Sequence, residues 1–498
     1  MATLSLALHA SGSVQKQTIS QSMDLQKLPP TFGASKAIKS ASMKMLDFFV
    51  DSVFQFVDQP QLPLQENFAP VEEIGEAVQV SCANPLFGGW KSAVSVFGKS
   101  HDLWVEGEGM IHAVYFSKDA YGNWTFSYNN RYVDTQTYRL EKQRNKPSLL
   151  PAAEGDPPAV LAALTLNMLR YGVPNKHLCN TNVFEHSGKY YAVAENWLPC
   201  EIDIFTLHTF HYWDLNGAWR RPFTSHPKVQ CNLGLAAYCR HRQGDQRRTN
   251  WSDARYGDAD SVKWFEVEPN CTFHILNCFE DGHEVVVRGC KAQAAIIPGP
   301  DLGLHKFEWF SKGFKFHKSS DESESAGDEG GLFTCVYEWR LNMETIEVKE
   351  RNLSETELSM DFPMINNDYT GLKHKYGYTQ VIDSVASSSC GKSKYRSLAK
   401  LYFDEHEHDS TMMKMEYHKL PPNNFFTGAT FVAKPGGAEE DDGWILTFVH
   451  DENTNVSYVL VVDAKKFEHE PVAKIELSRR VPYGHHGAYF ATPSKHIK

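Results

Sequence analysis

Leu46, Phe49, Val50, Val53, Phe54 and Val57 recur at i, i+3, i+4, i+7, i+8 and i+11, the spacing of one helix face. This predicts an amphipathic helix over residues 45–60, stopped by Pro60. Its four phenylalanines would suit a membrane surface, although docking on the protein's own core is the commoner use of such a face.

From about Phe68 the period changes from 3.6 to 2. HAVYFSKDAYGNWTFSYNNRYV reads as strand, turn and strand, with the turn at Asp119 to Asn123. NTNVFEHSGKYYAVAEN turns at Ser187 and Gly188, and LFTCVYEWRLNMETIEVKERN turns at Asn342 to Glu344. The stretch from Gly443 to Leu477 holds three strands broken at Asp451 to Asn455 and Ala464 to Glu468. Such strands at short spacing over about 400 residues favour an all-β propeller or large barrel over stacked sandwiches. One helical interruption is expected at Pro157 to Gly172. The acidic stretches 317–331 and 435–443 show no periodicity and read as solvated loops.

With 498 residues, 42% of them hydrophobic, the chain can bury a large core. The net charge of −11 and the lack of any Lys/Arg run argue against a nucleic-acid partner. No run approaches the 18 apolar residues of a membrane-spanning helix. The ten cysteines are scattered, without a C-x-x-C pair, and read as reduced and structural. Residues 1–44 hold eight serines, five lysines, no arginine and one acid, Asp24. That composition fits an organellar transit peptide or a disordered tail.

Of the 22 histidines, His406, His408 and His418 look like parts of an exposed polar strand, and His101, His112, His186 and His469 sit in turn or strand contexts. His226 (RPFTSHPK), His274 (CTFHILNCF) and His486 (RVPYGHHGAYF) each lie in an apolar or turn-forced setting at a strand end, without an adjacent carboxylate in sequence. Any one alone reads as a core histidine. Three together point to an all-nitrogen site for iron, copper or zinc, since ligands from separate strands converge on a propeller axis.

The motifs NPLFGG, WVEGEGMIHAVYF, NTNVFEHSGKYYAVAEN, FTSHPK, WFEVEPNCTFHILNCFEDGHEVVV, MDFPMINNDYTG and EPVAKIELSRRVPYGHHG resemble, in order, those of the carotenoid cleavage oxygenase family, and most closely its plant carotenoid cleavage dioxygenases. The resemblance runs from about residue 66 to 498. It implies a seven-bladed β-propeller with a helical and loop cap, with Fe(II) held at the axis by four histidines. By motif matching, His226, His274 and His486 stand at the first, third and last ligand positions. Glu195 and Asp361 stand where the family places acids that orient ligand imidazoles, while Gly428 stands where a third acid is usual.

The chain departs from the family pattern between its first and third ligands. His226 and His274 are only 48 residues apart, and the motif of the second ligand is missing. The intervening Gln230 to Trp251 lacks strand alternation, and its sole histidine is His241. A shorter loss is expected at Ser81 to Asn84, so one blade should be incomplete. For a complete relative the resemblance implies O₂-dependent scission of a conjugated double bond of a carotenoid or apocarotenoid, of the 9,10 or 9′,10′ type, without an organic cofactor. A plastid location and peripheral membrane contact follow as expectations, with a cytoplasmic location as the alternative. The other readings are a catalytically impaired, truncated form that only binds apolar ligands, and cleavage of another alkene such as a stilbene.

Overall fold

The computed structural model describes residues 36–53, 77–83, 107–292 except 119–120, 145–147, 151–156, 220, 228–234, 242–248, 256–262 and 269, and 334–491 except 355, 357, 391–392, 407–412 and 485. Their strands form antiparallel meanders. The first group is β1 (Ala77–Ala83), β2 (Met110–Lys118) and β3 (Trp124–Tyr132), and the second is β4 (Asn182–His186), β5 (Lys189–Val193), β6 (Cys200–Ile202) and β7 (Thr209–Tyr212). The third has only β8 (Leu235–His241), β9 (Thr249–Arg255) and β10 (Lys263–Val267). The fourth is β11 (Cys271–Asp281), β12 (Glu284–Ala292), β13 (Thr334–Asn342) and β14 (Val348–Asn352). The fifth is β15 (Met360–Met364), β16 (Tyr376–Ile382), β17 (Tyr395–His406) and β18 (Met413–Lys419). The sixth is β19 (Asn424–Ala433), β20 (Gly443–Asp451), β21 (Val456–Asp463) and β22 (Ala473–Glu476).

The last strand, β23 (His486–Ala491), pairs antiparallel with β1 and completes the first group from the far end of the chain. That pairing closes a ring of blades and removes two exposed edges at once. Among the described residues, hydrogen bonding joins the first, fifth and sixth groups into one 12-stranded sheet and leaves the second and fourth as four-stranded sheets and the third as a three-stranded one.

Burial explains the sequence texture. Strands β2, β12 and β19 are covered on both faces and read as near-continuous apolar runs. The outermost strands β14 and β22 alternate between half-buried and exposed positions, as half-solvated strands do. The core lies between neighbouring blades. Ile111 and Tyr115 meet Val183 and Ile202, Val285 and Trp339 meet Phe265, Leu276 and Val336 meet Leu401, Tyr378 and Leu398 meet Phe426 and Tyr458, and Val114 meets Phe448.

Three expectations change. The helix expected over 45–60 spans Lys36–Val53 (α1), because Ala, Lys and Met from Lys36 onward favour helix and neither Gly nor Pro interrupts them; residues 54–60 lie outside the described residues. The segment 230–251, expected to lack strands, contributes β8 and the start of β9, paired from Leu235↔Arg255 to His241↔Thr249. The loop 435–443 is not simply solvated: Glu440 and Asp441 are buried, and the Glu440 carboxylate accepts the backbone N–H groups of Lys375 and Tyr376 at 2.8 Å. The helix expected at 157–172 is found at Pro157–Tyr171 (α3), after a short helix α2 (Gln136–Arg144). The acidic stretch 317–331 lies outside the described residues.

Burial holds the imidazoles of His112 and His374 down at about 3 and those of His177 and His450 at about 4. They stay neutral in the fold and charge in the unfolded chain, so stability is full above about pH 6.5 and declines as pH falls toward about 4. Glu108 and Glu440, whose carboxyls burial holds above their usual range, pull the other way. The imidazole of His418 is lowered by burial in the same way and the carboxyl of Glu195 is raised like those of Glu108 and Glu440, and five imidazoles against three carboxyls predict a urea midpoint that drops between pH 7 and pH 5. An unchanged midpoint would count against this balance.

Candidate metal centre

The site is assembled from the starts of inner strands and one loop. His274 is the fourth residue of β11, Asp361 the second of β15, and His486 the first of β23. His226 lies in the loop after β7. Although 260 residues separate the outermost two, one nitrogen from each of His226, His274 and His486 lies within 4.8 Å of one from each of the others. Their ring centroids are 4.6 to 5.0 Å apart. Among the described residues this is the one such group of metal-binding side chains.

Each imidazole is held differently. Asp361 Oδ1 is 2.7 Å from His274 Nδ1, which fixes the Nδ1–H tautomer and so gives Nε2 the lone pair a metal ligand needs. The Cys290 thiol beside Asp361 is pushed well up by burial and stays protonated. Phe362 adopts a φ of 54°, rare for an aromatic residue, and donates its backbone N–H to Asp361 Oδ1 at 2.8 Å. Its ring then packs 4.5 Å from that of His274 and 4.9 Å from that of His486.

The glycines around His486 follow from close approach. In β19 the parallel pair Ala429↔His486 brings two inner strands together, and a Cβ on Gly487 would meet the Ala429 carbonyl oxygen at 3.1 Å. The preceding loop is pinned by Thr427, whose hydroxyl donates to Pro482 O at 2.7 Å and accepts the Gly484 N–H at 2.5 Å. Gly428, at a φ of 92° within a bulge of β19, offers no carboxylate there.

Glu195 follows β5, and its Oε1 lies 3.5 Å from His226 Nε2 and accepts the Ser225 hydroxyl. Its side chain is 52% accessible, yet desolvation by the surrounding protein still raises its carboxyl above the usual range. Ser225, Phe362, Cys290 and Thr427 were not legible as site residues, since only their adjacency to a ligand or an acid in space singles them out. His418 is buried, with Nδ1 3.0 Å from Phe467 O, instead of lying on an exposed strand. His112 is buried with Nδ1 2.6 Å from the Tyr128 hydroxyl, and His186 and His469 are exposed. His241 ends β8, and His101 and His408 lie outside the described residues.

The model of the family described as RPE65, retinal pigment epithelial membrane protein, matches residues 81–242 and 245–491. The chain belongs to this family, that of RPE65 and the carotenoid cleavage dioxygenases. The match breaks within the β8–β9 hairpin, in the incomplete blade. Carotenoid 9,10(9′,10′)-cleavage dioxygenase 1 of Pisum sativum is 28% identical over 556 aligned positions, covering 92% of this chain and 95% of that protein. The alignment is longer than the 498 residues of this chain, so the pea protein carries internal residues that this chain lacks. 9-cis-epoxycarotenoid dioxygenase NCED1, chloroplastic, of Oryza sativa subsp. japonica is 26% identical, covering 90% of this chain and 80% of that protein. The cobalt-substituted apocarotenoid oxygenase of Synechocystis shares the fold, with a TM-score of 0.62 at 15% identity, covering 85% of this chain and 95% of that one. The expected propeller architecture is thereby established.

Proposed function

We propose that this chain is a non-haem iron dioxygenase that cleaves a conjugated double bond of a carotenoid or apocarotenoid, at the 9,10 or 9′,10′ position, into two carbonyl products. The convergence of three imidazole nitrogens within 4.8 Å of one another carries this reading. An all-nitrogen donor set with one ring fixed by a carboxylate suits a divalent transition metal, and an incomplete shell leaves positions for further ligands. Fe(II), when bound by His226, His274 and His486, would supply the activation of O₂ that a closed-shell polyene cannot achieve alone. Asp361 keeps His274 Nε2 presented, and Phe362 covers one flank with an apolar ring that excludes water and accepts a polyene. In the balanced reaction the C=C bond and the O–O bond break and two C=O bonds form.

The test is anaerobic purification, elemental analysis, and incubation with an apocarotenoid under ¹⁸O₂. About one iron per chain and label in both carbonyl products are expected. Metal binding and apocarotenoid binding without products would favour the alternative, a catalytically impaired apolar-ligand binder. The three-stranded blade and the group of three histidines, where the resemblance implies four, give that alternative its footing.

The chloroplastic relative supports a plastid location. The substrate class also gives a use to the exposed faces of α1 and α3, which pack together through Val50 and Ala163 and by Asp47 pairing with Arg170, while Arg144 of α2 pairs with the same carboxylate. Met45 is 74% exposed, Phe48 73%, Leu161 66% and Leu169 61%. No described helix is long and apolar enough to cross a membrane, so the patch would lie on a lipid surface. Phe48→Ser combined with Leu161→Ser should lower partitioning onto liposomes by about tenfold or more. Unchanged sedimentation with the vesicles would sink the membrane reading.

A further inference from the structure

We infer that Thr427 is a positioning residue of the metal centre: it does for His486, through the backbone, what Asp361 does for His274 through the ring. The inference rests on the metal site proposed above. It starts from Gly428, which stands where the resemblance expects an acid. The ladder from β19 to β20 jumps from Phe426↔Val449 to Ala429↔Thr447, so two residues, Thr427 and Gly428, stand against one, Phe448. Such a bulge bends the strand and re-aims a side chain. The glycine takes a φ of 92°, which residues with a Cβ rarely adopt, and its carbonyl accepts the Thr447 hydroxyl at 2.9 Å. The bulge thus favours glycine where an acid would have stood, and it turns Thr427 toward the loop before His486.

Thr427 is fully buried, and its one hydroxyl is used twice. It donates to the Pro482 carbonyl at 2.7 Å and accepts the Gly484 N–H at 2.5 Å. Two residues along β19, Ala429 pairs with His486 itself. Positions 427 and 429 therefore grip the chain just before the last imidazole and at it. The rest of the loop is tied to the same blade: the Ser457 hydroxyl accepts the Val481 N–H at 2.9 Å, and the Tyr483 hydroxyl donates to Glu452 Oε1 at 2.7 Å. Without the Thr427 hydroxyl the buried Gly484 N–H and the Pro482 carbonyl lose their shared partner, and they regain one only if the loop moves. A moved loop carries the His486 ring off the point where the three nitrogens converge.

Co(II) titration of the metal-free full chain tests this, reading both affinity and the visible d–d absorption, which reports ligand geometry. Wild type should bind one Co(II). Thr427→Val, which keeps the shape but not the hydroxyl, should weaken binding by about 10- to 100-fold, the usual cost of losing a partner that orients a ligand, and change the d–d spectrum. Thr427→Ser, which keeps the hydroxyl, should restore both. Far-UV circular dichroism and thermal melts of the metal-free chains check folding. Wild-type affinity and spectrum in Thr427→Val, even with a lower melting temperature, or an equal loss in Thr427→Ser, overturns the inference, because Thr427 then only packs. Should Thr427→Val not fold, Thr427→Cys, with its weaker donor and acceptor, takes its place: reduced affinity with an altered spectrum is expected, and wild-type binding overturns the inference. If wild type binds no more Co(II) than His274→Ala, the three-imidazole site itself fails, and the role of Thr427 with it.

Discussion

His486→Ala should abolish the proposed stoichiometric metal binding and, with it, any oxygen-dependent cleavage, while the chain stays folded. The magnitude follows from a comparison within the site. Removing a group that merely orients a ligand typically costs 10- to 100-fold in metal affinity, and Asp361→Asn should fall in that range because it acts through His274 Nδ1. Removing one of three converging imidazoles should cost more than about 100-fold, since no other described histidine, cysteine or carboxylate joins the group. The fold should survive, because β23 pairs with β1 through backbone groups that alanine keeps. Elemental analysis and thermal melts of metal-free wild type, Asp361→Asn and His486→Ala check the order. If His486→Ala retained about one iron per chain, the axis site would be wrong.

The parts of this architecture that the sequence makes legible are those written in local pattern. The hairpins from Met110 to Tyr132, Asn182 to Val193 and Gly443 to Asp463 were readable because their turns hold residues suited to tight reversals between apolar runs, such as Gly188 with a φ of 75° and Asn455 with a φ of 57°. The three histidines were readable as a group from their apolar or turn-forced settings at strand ends and, position by position, through motif matching, although nothing local distinguishes His274 alone from a satisfied core histidine. What could not be read depends on contacts across blades. Strands β8 and β9 carry Arg240, Asn250 and Asp253, and β9 pairs with both β8 and β10. Phe362 enters the site through an unusual backbone angle, which no side-chain pattern announces. Ser225 matters only because the loop after β7 brings it against Glu195.

The acidic stretch from Pro435 to Gly443 shows the same limit, and the second large effect is expected there. Lys400→Met should destabilise the protein by about 3–5 kcal/mol, the usual consequence of leaving a buried carboxylate without its partner. Lys400 Nζ donates to Asp441 Oδ2 and to the Ala464 carbonyl, both at 2.8 Å. The ammonium also lies 4.6 and 4.9 Å from the rings of Tyr376 and Tyr402. The lysine is 1% exposed and Asp441 6%, so water cannot take over when the ammonium is removed. For a chain of this size the loss corresponds to a fall of about 5 °C in melting temperature. Adding Asp441→Asn should recover part of it, because the uncompensated charge and not the missing methylenes dominates the cost. A fall of under about 1 °C in Lys400→Met, or no recovery in the double variant, would show that the pair does not hold these blades together. Lys400 lies in β17, and Asp441 lies just before β20, so the pair ties the fifth blade to the sixth. Those blades carry Asp361, which orients His274, and Thr427, which holds the loop leading to His486. Loosening them should therefore weaken metal binding in Lys400→Met beyond what its stability alone predicts, whereas a distant core truncation of equal thermal cost, such as Leu207→Ala in the second blade, should leave metal affinity nearly unchanged.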